Sequence, residues 1–142
     1  MTVSRASAVW EGGLKEGKGS FKAGSGAFSG QHTFGTRFEG KAGTNPEELI
    51  AAAYAACFTM ALSADLEKAG TPVTRVQADA ACTMDTVNGA PTITKLEVKV
   101  RGKVPGLDQA GFAKAAAGAK DGCPVSRALK GISHITVDAK LE

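Results

Sequence analysis

From Leu49 to Leu62 the chain reads LIAAAYAACFTMAL, and no other stretch limits the possible folds so tightly. A strong helix start precedes it. In "TNPEEL", Asn45 can cap, Pro46 suits the first turn and Glu48 stands at the capping-box position. The helix is predicted to run to about Lys68 and to stop at "AGTP", where Gly70 and Pro72 break it. An ordinary surface helix is apolar along one stripe, whereas this one is apolar on nearly every side and has to be covered all round. A sheet can cover one face and short later helices part of another. The small residues Ala51, Ala52, Ala53, Ala55, Ala56 and Ala61 would let a further helix approach closely. The expectation is a long buried central helix completed by a second copy of the chain, most simply in a two-fold dimer. A monomer that wraps the helix itself is the alternative. With 14 residues, the apolar run is too short to span a bilayer.

Around this helix the pattern is mainly that of strands. The glycine-rich first third reads as "RASAVWEG", "GKGSFKAG" and a less regular "GAFSGQHTFGTRFEG", ending in a loop from Gly35 to Gly43 with Arg37 between Phe34 and Phe38. After the helix, Val76, Ala78, Ala80, Cys82 and Met84 alternate with mostly polar neighbours, the period of a half-buried strand. Asn88-Gly89 marks a hairpin, and the return strand puts Leu96, Val98 and Val100 on one face. "VPGLD" leads into an alanine-rich helix from Asp108 to Lys120. Cys123-Pro124 then opens a short helix to about Lys130, and Ile135, Val137, Ala139 and Leu141 alternate in a last strand. This order predicts α+β with largely antiparallel sheets, in a single domain over residues 1–142.

Composition closes off several function classes. With 43% hydrophobic and 22% charged residues the chain is globular, not disordered. Its net charge of +3 is scattered, with no basic run or aromatic–basic interleaving for nucleic acid. "MTVSRASAVWEGG" lacks the pattern of a secretory signal, so the default compartment is the cytoplasm. His32 and His134 are the only histidines and no cysteines have C-x-x-C spacing, which argues against a metal site. No G-x-S-x-G is present for acyl transfer.

Three cysteines remain, an odd number that argues against a structural disulfide framework. Cys82 shares the apolar alternation of its strand and reads as a small core residue. Cys123 precedes Pro124 at a predicted helix start, where unpaired N–H groups favour a thiolate; a plain capping role competes evenly. Cys57 lies mid-helix among apolar groups, which raises a thiol's pKa and makes it inert. Its activation would need a cation from elsewhere, and Arg37 is the candidate. Glu47 is the candidate to hold that arginine, since Glu48 already serves the cap; helix-dipole complementarity alone would also place an acid there. Glu47 and Cys57 are ten residues apart, or ~15 Å along a helix. One carboxylate therefore cannot touch both groups, so either Arg37 bridges them or a partner's helix does.

Taken together, "TRFEGKAGTNPEELIAAAYAACFTMALS", "PTITKLEV", "VPGLD" and "AKDGCPVSRAL" resemble the OsmC/Ohr family of thiol-dependent peroxidases, most closely the OsmC branch. The resemblance implies an intertwined homodimer of α+β subunits that reduces organic hydroperoxides to alcohols. Carried over, Cys57 is the peroxidatic nucleophile and Cys123 the resolving thiol. Arg37 stabilises the thiolate and polarises the peroxide, and Glu47 holds Arg37. No bound cofactor is implied, only an external dithiol reductant. The apolar company of Phe34, Phe38, Phe58 and Met60 would favour a substrate with a hydrophobic tail. A small hydrophobic ligand-binding dimer, or a redox sensor without turnover, is the competing reading.

Overall fold

The computed structural model describes residues 1–142, which fall into two compact units, Met1–Leu49 and Ile50–Glu142. The first holds a three-stranded antiparallel meander, β1 (Ala6–Glu11), β2 (Lys18–Ala23) and β3 (Ser29–Thr33), followed by the short helix α1 (Phe34–Phe38). Its largest side chains meet across the strands. Trp10 and Phe21 lie against His32 with ring centroids 5.5 and 5.9 Å away. Glycine at 19 is what admits them, because a Cβ there would run into both His32 and Trp10. Every residue of β1 is exposed, Val9 and Trp10 included.

Helix α2 (Pro46–Lys68) starts in the first unit and continues through the second. Both ends are built as the sequence predicts. The Glu48 N–H donates to Asn45 Oδ1 at 2.8 Å. At the other end Gly70, at φ +83°, donates to Glu67 O, and Thr71 N donates to Leu66 O at 2.9 Å, the paired bonds of a Schellman stop.

In the second unit β4 (Arg75–Val87) and β5 (Ala90–Lys103) form the predicted hairpin, with Asn88 and Gly89 both at positive φ as a two-residue type I′ turn requires. The register shifts by one residue between Thr83 and Met84. Helices α3 (Gln109–Gly122) and α4 (Pro124–Ala128) follow, then β6 (His134–Leu141). β6 pairs parallel to β5, so the sheet is mixed rather than uniformly antiparallel. The helical crossover of α3 and α4 has the length needed to bring the chain back in the same direction.

One core serves this unit. Tyr54, Phe58, Leu62 and Leu66, each four residues from the last, form a buried stripe on α2; Leu96, Val98 and Val100 of β5 and Phe112, Ala116 and Ala119 of α3 complete it. The α+β class stands as expected. The other side of α2 is uncovered in a single chain: Ala52, Ala53 and Ala56 are exposed, and Met60 is 75% exposed. By length and composition alone this 23-residue helix could cross a membrane, with mean hydropathy 1.6 over 18 residues. Its stripe in the unit's core is the arrangement of a core helix instead.

Because nothing lies within 4 Å of the Cβ that Gly70→Ala would add, that substitution isolates backbone strain at positive φ. We expect a loss of about 1–2 kcal/mol in urea unfolding with an unchanged m-value.

Candidate active site

Arg37 does not sit on an irregular loop as the sequence implied; it lies in the last turn of α1. The cause is a reciprocal cap. Thr36 N donates to Thr33 Oγ1 at 3.2 Å and Thr33 N donates to Thr36 Oγ1 at 2.9 Å. Phe34 and Phe38, one turn apart, stack with centroids 4.9 Å apart, and the Arg37 guanidinium lies 5.3 Å from the Phe38 ring centroid. Asn45 ties this helix to the next: its Oδ1 caps α2 while its Nδ2 donates to Thr36 O at 3.2 Å. Glu47 thereby faces Arg37. Arg37 Nη2 donates to Glu47 Oε1 at 2.8 Å, and Nε lies 3.3 Å from both carboxylate oxygens. Glu47 is buried and Arg37 is partly open to solvent, so the carboxylate is the fixed partner and orients the guanidinium.

The second unit brings together the two thiols that sequence reasoning had singled out, although 66 positions separate them. Cys57 and Cys123 are both free, and their Sγ atoms lie 2.6 Å apart. Cys57 is placed by the buried stripe, directly before Phe58. Cys123 is placed by Pro124. A residue before proline is driven out of helical geometry, so α3 ends at Gly122 and Cys123 turns to ψ 124°, serving as C-cap of α3 and N-cap of α4. The second helix is shorter than expected, ending at Ala128. Cys82 lies on the core side of β4, opposite Leu96, as a packing residue would.

The two sulfurs differ in electrostatics. Burial pushes the Cys57 thiol up, and the hydrogen bond and charge of Cys123 act the same way against a smaller lowering by the Val125 N–H. Burial also pushes Cys123 up, but the Cys57 thiol, the Ser126 N–H and hydroxyl, and the Val125 N–H outweigh it and hold Cys123 below its ordinary value. The first proton lost by the pair is therefore that of Cys123, with Cys57 as donor to the thiolate.

Two hydroxyls beside this pair were not singled out from the sequence. Tyr54, one turn before Cys57, and Ser126, three residues after Cys123, are buried, and neither hydroxyl makes a hydrogen bond of regular geometry, although the Ser126 hydroxyl is near enough to Tyr54 and Cys123 to favour the ionised form of each. The only signals for them were the lone polar-tipped ring in the apolar run and the serine of "CPVS". No group of three or more His, Cys, Asp or Glu is placed to hold a metal ion.

An α+β fold that holds two thiols at sulfur–sulfur contact, with no third ligand beside them, has the architecture of a dithiol redox protein. A family model described as OsmC-like protein matches residues 38–138. The chain is 46% identical over 144 aligned positions to Peroxiredoxin OsmC of Escherichia coli K12, covering 100% of this chain and 99% of that one. The chain belongs to the OsmC family. Its fold is similar to that of the organic hydroperoxide resistance protein OhrB of Bacillus subtilis, with a TM-score of 0.72, 24% identity, and 97% and 98% of the two chains covered. It is likewise similar to an organic hydroperoxide resistance protein from Elizabethkingia anophelis, with a TM-score of 0.71, 26% identity, and 98% and 99% covered.

Titration of the reduced protein, followed by thiolate absorbance, should show a first thiolate forming below the ordinary cysteine range of about 8.5. Cys57→Ala removes the donor to the Cys123 thiolate and should move that step to higher pH. An unmoved step would show that the sulfur–sulfur contact carries no such coupling.

Proposed function

We propose that this protein is a thiol-dependent peroxidase that reduces organic hydroperoxides to alcohols at the expense of an external dithiol. The observation that carries this reading is the contact between Cys57 and Cys123, two free thiols in a largely apolar setting. The Cys57 thiolate attacks the O–O bond, one oxygen transfers to sulfur, and the other leaves with a proton as the alcohol. Cys57 becomes a sulfenic acid. The Cys123 thiolate attacks that sulfur, hydroxide departs and takes up a proton as water, and a disulfide remains. The dithiol then exchanges with it and restores both thiols. With Cys123 already in contact, condensation is fast relative to further oxidation of Cys57.

The local environment works against the first step, since it favours the thiolate on Cys123 rather than on Cys57. A cation has to reverse that order. In this reading Arg37, oriented by Glu47, supplies it to a Cys57 thiolate of its own chain or of a partner's, and polarises the peroxide as it does so. The exposed alanine face of α2, with Met60 and the open face of β1, is covered by a second copy in a homodimer. The same reading takes residues 1–142 as a single domain, places the protein in the cytoplasm, and assigns it no resident metal or organic cofactor.

Mixing reduced protein with an organic hydroperoxide and a dithiol tests the assignment. Peroxide consumption should vanish in Cys57→Ser. In Cys123→Ser the first oxidation should proceed and Cys57 should then accumulate in over-oxidised forms. A Cys57→Ser variant as fast as the parent would sink the enzymatic reading and leave ligand binding in its place. Arg37→Ala should slow the first oxidation about tenfold or more, the consequence of raising a thiol pKa by ~1 unit. Unchanged kinetics would take Arg37 out of the mechanism. Light scattering should give twice the 14.4 kDa chain mass, and a species of single-chain mass would remove the dimer.

A further inference from the structure

The two unpaired hydroxyls beside the thiols are the feature that the mechanism leaves unused. A buried polar group without a partner is costly and uncommon, and here two occur around one sulfur. Tyr54 is fully buried and Ser126 is 4% exposed. Ser126 follows Cys123 by three residues in the turn that opens α4, and Tyr54 precedes Cys57 by three residues on the inner stripe of α2. Oxidation changes what surrounds Cys123. In the reduced pair, the Cys57 thiol lies 2.6 Å from the Cys123 sulfur, and its hydrogen bond favours the Cys123 thiolate. Once Cys57 is a sulfenic acid, that S–H no longer exists, yet this is the moment at which Cys123 must be a thiolate inside a dry core.

We infer that Tyr54 and Ser126 are positioning residues for the resolving step, a two-hydroxyl relay in which the Tyr54 phenol donates to Ser126 Oγ and the Ser126 hydroxyl donates to Cys123 Sγ. The donor count requires both members. A serine hydroxyl has a single proton. If it gives that proton to the sulfur, its oxygen needs a donor, and Tyr54 is the buried hydroxyl at hand. The groups facing the relay keep Tyr54 in that role: burial, together with Cys57 on α2, Cys123 and Asp121 on α3, keeps the phenol protonated, while Ser126 alone acts the other way. The Ser126 hydroxyl favours the ionised form of Cys123. In the step it serves, the Cys123 thiolate donates an electron pair to the sulfenic sulfur of Cys57. The S–S bond forms, the S–O bond breaks, and hydroxide leaves as water after taking up one proton. Cys123 is oxidised and the Cys57 sulfur is reduced, with no further reagent.

This inference rests on the peroxidase reading, so its test has one arm that needs no turnover. In a Cys57→Ala, Cys82→Ala chain, which lacks the competing donor and the third thiol, thiolate absorbance reports Cys123 alone. Adding Ser126→Ala should raise the Cys123 pKa by ~1 unit, a tenfold loss of thiolate below it. Ser126→Thr should restore it, and Tyr54→Phe, which preserves the ring, should raise it by a smaller amount. In the chain with both thiols, one equivalent of organic hydroperoxide should yield a sulfenic acid that a cyclic diketone traps for longer in Ser126→Ala and Tyr54→Phe. Disulfide formation should slow about tenfold relative to sulfenic acid formation, with its pH profile displaced upward. A Cys123 titration unmoved by Ser126→Ala and Tyr54→Phe would overturn the relay whether or not the protein turns over peroxide. Loss of peroxide consumption in the parent with the titration shifts intact would overturn the peroxidase reading alone.

Discussion

The inner stripe of α2 is the contact on which the second unit depends. Tyr54, Phe58, Leu62 and Leu66 meet β5 through Leu96, Val98 and Val100, and α3 through Phe112, Ala116 and Ala119. Burying each leucine or phenylalanine contributes about 1.5–3 kcal/mol, against a net stability for such a chain of about 5–15 kcal/mol. The stripe therefore cannot be moved cheaply, and neither can Cys57, which sits one residue before Phe58. A reactive group on a loop could drift by an ångström. This one is held by the hydrophobic effect, and α3, packed in the same core, delivers Cys123 to it from 66 positions away.

Burial that fixes a thiol also disfavours its charge. Desolvation raises both sulfurs, and the donors near them do not divide evenly: Ser126 contributes a backbone N–H and a hydroxyl to Cys123, while Cys57 has only the Val125 N–H. The second unit by itself thus prepares the thiol that resolves rather than the thiol that attacks. In the proposed mechanism the asymmetry is useful. There a cation, Arg37 oriented by Glu47, ionises Cys57, and Cys123 stays poised throughout. The Tyr54–Ser126 relay fits the same division, since it serves the sulfur that has to remain charged after its first donor has been consumed.

Much of this was legible in the chain because local rules and global packing agree there. Asn45, Pro46 and Glu48 start α2 and Gly70 stops it, as their backbone preferences require. Asn88-Gly89 closes the hairpin. Arg37 pairs with Glu47 as expected, although it is the Glu48 N–H and not its carboxylate that bonds the Asn45 cap. Three features went unread. Helix α1 rests on a Thr33–Thr36 reciprocal cap that uses threonine where glutamate or glutamine is usual. The parallel entry of β6 depends on how far α3 and α4 carry the chain, which alternation within the strand cannot report. The hydroxyls of Tyr54 and Ser126 carry no local pattern at all, because a lone tyrosine in a helix and a serine in a turn suit many environments.

By itself the sequence determined where α2 starts and stops, the β4–β5 hairpin, the face that β4, β5 and β6 turn inward, and which residue types could do thiol chemistry. All of these follow from periodicity and backbone preference within a few residues. Only the tertiary structure decided that Cys57 and Cys123 touch and that Cys123 is the more readily ionised of the two. It alone decided that the buried hydroxyls of Tyr54 and Ser126 stand beside them without a hydrogen bond of regular geometry. The reason is physical: contact, desolvation and donor count at a buried sulfur are set by groups from separate elements packed into one core, and no stretch of chain contains them together.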